Sequence, residues 1–250
     1  MSDSFDEPIN IPREIADFYI ISKWKVGENS TLYTALTTST SFICKAIPKK
    51  NYIGNHIEIQ HSLYHDNIQE ILWQCVDSEN IYIFTSQAKE SFQEFLDRNG
   101  KLDENQAKHF MYQILNALQY VHKHEISFCD IKPENFLITE DDTLLLFNFG
   151  CAVKGKIVIE ARGTPLYMSP ERISKKGSFN GFASDIWSCG VTLYQMLMGK
   201  IPYGQSSSSE KFQLSDDISD EAKDLLSKMI HPDPSQRISA LDALNHNWFK

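Results

Sequence analysis

The chain has 250 residues, 24 basic against 33 acidic for a net charge of −9, and 42% hydrophobic residues. That length suits one large or two-lobed unit with a sizeable core, the acidic balance without a basic block argues against nucleic acid as a partner, and no apolar run approaches the ~20 residues of a membrane span. The five cysteines, Cys44, Cys75, Cys129, Cys151 and Cys189, are scattered without metal-site spacing and read as reduced thiols of the cytosol or nucleus.

Residues 1–17 read as a lead-in, acidic from Met1 to Glu7, without an apolar signal core and with Pro8 and Pro12. Phe18–Val26, Leu32–Ala35 and Phe42–Ile47 are apolar and β-branched enough for three strands, with Thr37–Ser41 as a turn. Gly27 lies in the connection between the first two and taken alone is a turn glycine. Lys45 interrupts the third strand, so it must reach solvent or a partner. Ile81–Thr85 reads as a further strand.

Asp103 with Gln106 is a capping pair for a helix over 104–122, whose Ala107, Phe110, Ile114, Leu118 and Val121 form a buried stripe. Phe136–Ile138 and Leu144–Phe147 flank the polar turn Glu140–Asp142 as a short hairpin. Asp130, Lys132 and Asn135 crowd one of its open ends and Asn148 with Gly150 the other, a set able to hold a metal and a phosphate. Ala183–Met198 repeats apolar residues at helical spacing and stops at Gly199. Ser219 caps a third helix and Ser239–Phe249 is the last, while Ser206–Ser209 reads as a flexible loop.

Residues 128–150, Phe-Cys-Asp-Ile-Lys-Pro-Glu-Asn through Asn-Phe-Gly, resemble the catalytic and metal-binding loops of eukaryotic protein kinases, His-Arg-Asp-Leu-Lys-Pro-Glu-Asn followed by Asp-Phe-Gly. Phe128 stands for the His, Cys129 for the Arg and Asn148 for the metal-binding Asp. Gly163–Glu171 resembles Gly-Thr-Pro-x-Tyr-Met-Ala-Pro-Glu, Asp185–Gly190 resembles Asp-x-Trp-x-x-Gly, and Asp233–Arg237 resembles Asp-Pro-x-x-Arg. The first half is less alike. Phe-Ile-Cys-Lys-Ala-Ile around Lys45 is similar to the Val-Ala-Ile-Lys strand, His65–Ile68 to His-Pro-Asn-Ile, and only Gly27 remains of Gly-x-Gly-x-x-Gly. The resemblance covers residues 18–249. It is closest to the serine/threonine branch, through Lys132 and Thr164, and within it to the calcium/calmodulin-dependent and related groups, with no calmodulin-binding tail expected.

The resemblance implies an α+β, two-lobed fold: a small antiparallel-sheet lobe over about 18–85, a linker at 86–89 and a mainly helical lobe over 90–250, with a nucleotide cleft between the lobes. It implies ATP bound near Val26, Gly27, Lys45, Thr85 and Ala88, with Mg²⁺ or Mn²⁺ held weakly by Asn135 and Asn148. Asp130 would accept or orient the substrate hydroxyl proton, and Lys132 and Thr164 would stabilise the transferring phosphoryl and Asp130. Asp185 would hold the catalytic-loop backbone, and Glu171 would pair with Arg237. The resemblance implies a helix over Asn51–Tyr64, where the family's partner Glu for Lys45 falls at His56 and Glu58 lies about 200° round the helix, so that ion pair is expected to be missing or replaced. Cys129 removes the grip on a phosphorylated activation segment. Residues 151–163 contain no Ser, Thr or Tyr, and Glu160 occupies the family's phosphosite. A truncated or missing helix is expected at 205–213. Three functions remain open: a weak serine/threonine kinase, a nucleotide-binding switch without transfer, and a scaffold that binds no nucleotide. The partner is a protein substrate or regulated protein, not nucleic acid or a membrane.

Overall fold

The computed structural model describes residues 14–250 apart from 16, 27–29, 53–55, 161, 175–176, 203–213 and 216, with backbone only at 14 and 24–26. The Gly27 loop, the first thirteen residues of the lead-in, the Ser206–Ser209 loop and the expected helix loss at 205–213 therefore lie outside the described residues. The chain divides into two compact units, one from residues 1–54 with 70–87 and one from 55–69 with 88–250. Residues 55–69 thus cluster with the second unit, although the sequence assigns them to the first.

The first unit is one six-stranded sheet of order β1-β2-β3-β4-β6-β5. Its strands are β1 (Glu14–Ile15), β2 (Phe18–Val26), β3 (Thr31–Leu36), β4 (Ser41–Pro48), β5 (Trp73–Val76) and β6 (Asn80–Ser86), all antiparallel to their neighbours. The lead-in over 1–17 therefore contributes a strand at 14–15. The sheet's two faces differ because strand side chains alternate. Ile15, Ile20, Tyr33, Ala35, Cys44, Ala46, Tyr82 and Phe84 make the core on one face, where Phe18 stacks on Phe84 with centroids 3.9 Å apart. Lys45 lies between Cys44 and Ala46 and so projects from the other face, opposite Leu32 and Ile83 in register. Thr85, two residues from Ile83 and opposite Ile43, shares that face. Edge strand β5, absent from the sequence reading, exposes Trp73 and Val76.

The second unit begins with α1 (His56–His61). The helix expected over 51–64 is thus much shorter. It ends where the Ser62 hydroxyl turns back to donate to the Ile59 carbonyl at 2.7 Å. Then follow β7 (Glu90–Ser91), α2 (Phe92–Asn99), α3 (Glu104–Lys123), β8 (Ile126–Ser127) and the hairpin β9 (Phe136–Ile138) and β10 (Leu144–Leu146). Helix α2 escaped the sequence reading, yet Ser91 and Glu94 form a full capping box at its start. β11 (Val153–Lys154) pairs with β8. β12 (Ile157–Val158) precedes α4 (Pro170–Ile173) and pairs with β13 (Phe179–Asn180).

Helices α5 (Gly181–Met198), α6 (Asp220–Met229) and α7 (Ala240–Leu244) complete the unit. The last expected helix is broken: α7 stops at Leu244 and a separate 3₁₀ turn covers Asn247–Phe249, with the His246 ring accepting at its start. The core forms around α3 and α5, and α5 is buried along nearly its whole length. Glu104 ties the elements behind it together. Its carboxylate accepts from the Ser219 amide at 2.5 Å, the Ser219 hydroxyl at 2.7 Å and Trp248 Nε1 at 2.8 Å. Burial works to raise this carboxyl, and these donors outweigh it and hold it below its ordinary value.

Candidate active site

The site is built outward from Asp185 on α5, which is fully buried. Its Oδ2 accepts the Phe128 amide at 2.8 Å and its Oδ1 the Cys129 amide at 2.7 Å, and His122 Nε2 stands 3.0 Å from Oδ2. These charge-assisted bonds hold Cys129 at φ +66°, a left-handed conformation that a non-glycine residue adopts only when its surroundings impose it. The twist presents Asp130. Phe128, 0% exposed, packs edge-on against Phe149 at 5.0 Å between centroids. The anchoring role of Asp185 is borne out.

Asp130 and its neighbours form one hydrogen-bonded group. Asp130 Oδ1 accepts from the Thr164 hydroxyl at 2.8 Å and from the Thr164 amide at 3.0 Å. Lys132 Nζ donates to Thr164 Oγ1 at 2.6 Å and lies 3.7 Å from Asp130 Oδ2. Asn135 Nδ2 donates to the Asp130 carbonyl at 2.7 Å and to its Oδ2 at 2.8 Å. Asn148 Nδ2 donates to Asn135 Oδ1 at 2.9 Å, and Asn148 itself sits in the left-handed region at φ +63°. The structure thus brings Asp130, Lys132, Thr164, Asn135 and Asn148 together. Burial, then the Asp130 charge, pushes the nearby Cys151 thiol up.

Gly163 lets the activation segment come this close. At φ +117° it lies where a Cβ would stand 2.5 Å from the Cys129 carbonyl oxygen. Further along, Glu171 and Arg237 form the expected bidentate pair at 2.6 and 2.8 Å, with the Arg237 side chain fully buried over the Trp187 ring. Burial works to raise Glu171, and the Arg237 hydrogen bond and charge outweigh it, so the carboxyl is held below its ordinary value. Glu160 pairs with Arg162 at 2.5 Å on the surface.

The expected nucleotide residues belong to different units. Lys45 and Thr85 share one face of the sheet, the Val26 backbone ends β2, and Ala88 is buried at the start of the second unit's long segment. Lys45, His56 and Glu58 each have an interaction partner. The donor set fits a hard cation in type but not in charge. Asn135 and Asn148 offer amide oxygens, whereas Mg²⁺ sites usually include one or two carboxylates beside the substrate phosphates. Among the described residues no group of three or more His, Cys, Asp or Glu is placed to hold a metal.

One residue at the site escaped the sequence reading. Arg172 on α4, 1% exposed, reaches under the segment and donates to the backbone carbonyls of Cys129 and Arg162. The available signal was its charge immediately after Glu171, at the start of a helix that had to pack against the catalytic loop.

A family model described as the protein kinase domain matches residues 24–249. An Aurora kinase of Dictyostelium discoideum is 33% identical across 94% of this chain and 66% of its own length. CBL-interacting protein kinase 11 of Oryza sativa subsp. japonica is 30% identical across 86% of this chain and 47% of its own. CBL-interacting serine/threonine-protein kinase 7 of Arabidopsis thaliana is 31% identical across 82% of this chain and 53% of its own. The chain spans about half to two thirds of these relatives. It belongs to the protein kinase domain family, with the antiparallel-sheet and helical units of that fold and relatives of the serine/threonine type.

Proposed function

We propose that the chain binds ATP and transfers its terminal phosphoryl slowly to serine or threonine hydroxyls of a protein. The observation that carries this is the Asp130–Thr164–Lys132 group, in which the activation segment is already seated on the catalytic loop. A pure scaffold has no need of a lysine 2.6 Å from a threonine that itself caps an aspartate. Asp130 Oδ1 is fixed by two donors, and Oδ2, which accepts from Asn135 Nδ2, retains acceptor capacity for an incoming hydroxyl proton. Lys132 supplies positive charge beside it, which suits a phosphoryl group passing through a charge-spread transition state.

The same geometry supports slowness. A divalent cation, when bound, neutralises charge on the phosphates; Asn135 and Asn148 are the residues that would hold it. Asn135 Oδ1 now accepts from Asn148, so ligation would exchange that bond, and neither amide contributes negative charge. If this removes ~2–4 kcal/mol of the several that a metal supplies, the rate falls roughly 30- to 1000-fold. Mn²⁺ should recover part of the loss through its place in the affinity order. Nucleotide binding then depends little on metal. The reading extends to a reduced intracellular compartment, consistent with free cysteines throughout.

A thermal-shift titration tests the proposal, because a ligand that binds only the native state raises the melting temperature by mass action. A shift with ATP that changes little with Mg²⁺ is expected. No shift with ATP under any metal condition would favour a scaffold that binds no nucleotide.

A further inference from the structure

We propose that Arg172 is the positioning residue that clamps the activation segment onto the catalytic loop without any phosphate. Its guanidinium donates through Nη2 to the Cys129 carbonyl at 2.9 Å and to the Arg162 carbonyl, and through Nη1 to Ser184 Oγ at 3.4 Å. Its Cζ lies over the Phe179 ring, 5.3 Å from the centroid. Cys129 belongs to the catalytic loop and Arg162 to the segment, so one side chain joins two backbones.

The burial makes this informative. Arg172 makes no ion pair among the described residues, and its Nε has no hydrogen-bond partner. A guanidinium held 1% exposed without a counter-ion is costly. Here the cost is offset where the segment crosses the loop. A single point beside Gly163 lies 2.5 Å from the Cys129 carbonyl oxygen, 3.0 Å from Arg172 Nη2 and 3.3 Å from Asp130 Oδ1. Arg172 and Asp130 therefore both approach the glycine closely, and the next residue, Thr164, is delivered to Asp130. Position 129 offers only a buried thiol, and Glu160 is held at the surface by Arg162 instead of by the loop. The seat of the segment is thus supplied from α4, by a residue that no kinase or phosphatase switches.

The inference rests on the phosphoryl-transfer reading for its catalytic meaning, but its primary readout needs no transfer. Hydrogen exchange would be followed in the full chain for Arg172→Met, which keeps the stem and loses the donors, and for Arg172→Lys. Amides of 162–168 should exchange at least about tenfold faster in Arg172→Met, with those of α3 and α5 unchanged, and Arg172→Lys should fall between. Cys129→Arg alone should lower the melting temperature, because it buries a second guanidinium beside the first. Cys129→Arg with Arg172→Met should restore segment protection towards wild type, since one guanidinium again faces the crossing. In transfer assays Arg172→Met should lower kcat with little change in the KM for ATP.

Unchanged segment exchange in Arg172→Met and Arg172→Lys would overturn the clamp. So would a rise spread evenly over the whole unit, or a double variant no better protected than Arg172→Met. If the exchange pattern holds while wild type transfers nothing, the clamp stands and the kinase reading falls.

Discussion

Phe128→Ala isolates how far the catalytic loop depends on packing beneath it. Phe128 is 0% exposed, Phe149 is 1% exposed, and their rings meet edge-on at 87°. The Phe128 amide, which Asp185 accepts at 2.8 Å, survives the substitution, so the loss reports the side chain alone. Truncating a buried Phe costs ~3–5 kcal/mol through lost transfer energy and the residual cavity, of which the aromatic pair accounts for about 0.5–1.5 kcal/mol. Phe128→Leu keeps most of the volume and should cost under about 1.5 kcal/mol. Urea unfolding of the three chains, compared at equal m-value, gives the ordering. A loss below about 1 kcal/mol for Phe128→Ala would refute the claim that this contact supports the loop.

Glu171→Gln should destabilise by ~3–5 kcal/mol, as breaking a buried pair does when one charge is left behind; denaturant unfolding checks it. Because the folded carboxyl lies below its ordinary value of 4.5, the pair's contribution is present above pH 4.5 and is lost as pH falls through the folded value, so the gap between wild type and Glu171→Gln should close on acidification; a gap constant from pH 7 to pH 3 would contradict this. Gly163→Ala should reduce transfer and speed amide exchange at Thr164, since its Cβ would meet the Cys129 carbonyl oxygen at 2.5 Å in a left-handed backbone; normal activity would show that the crossing is looser than described.

How much of this was legible in the sequence depends on where each residue's partner lies. Asp185, Glu171 and Arg237 could be read because they sit in motifs with set order and spacing, and the structure gives each the expected contact. The strands β2, β3, β4 and β6 could be read because apolar, β-branched runs announce them. Edge strand β5 could not, since Trp73 and Val76 face solvent and its pattern carries no burial signal. Helix α2 was missed although its capping box was present in the sequence, because eight residues give little periodicity. Arg172 showed its charge beside Glu171 but not what it would hold. The two partners that join the loop to the segment are backbone carbonyls 43 and 10 residues away, and a carbonyl carries no residue identity that a sequence pattern could match.

The central claim is that a seated catalytic group works at a charge-poor metal position. Phosphate transfer from ATP to a serine-containing protein substrate, measured for wild type, Asp130→Asn and Asn148→Asp with Mg²⁺ and with Mn²⁺, tests it most directly. Slow transfer by wild type is expected, none by Asp130→Asn, and at least about tenfold more by Asn148→Asp, roughly 1.4 kcal/mol of barrier. Vigorous Mg²⁺-dependent turnover by wild type, unchanged by either substitution, would contradict the account.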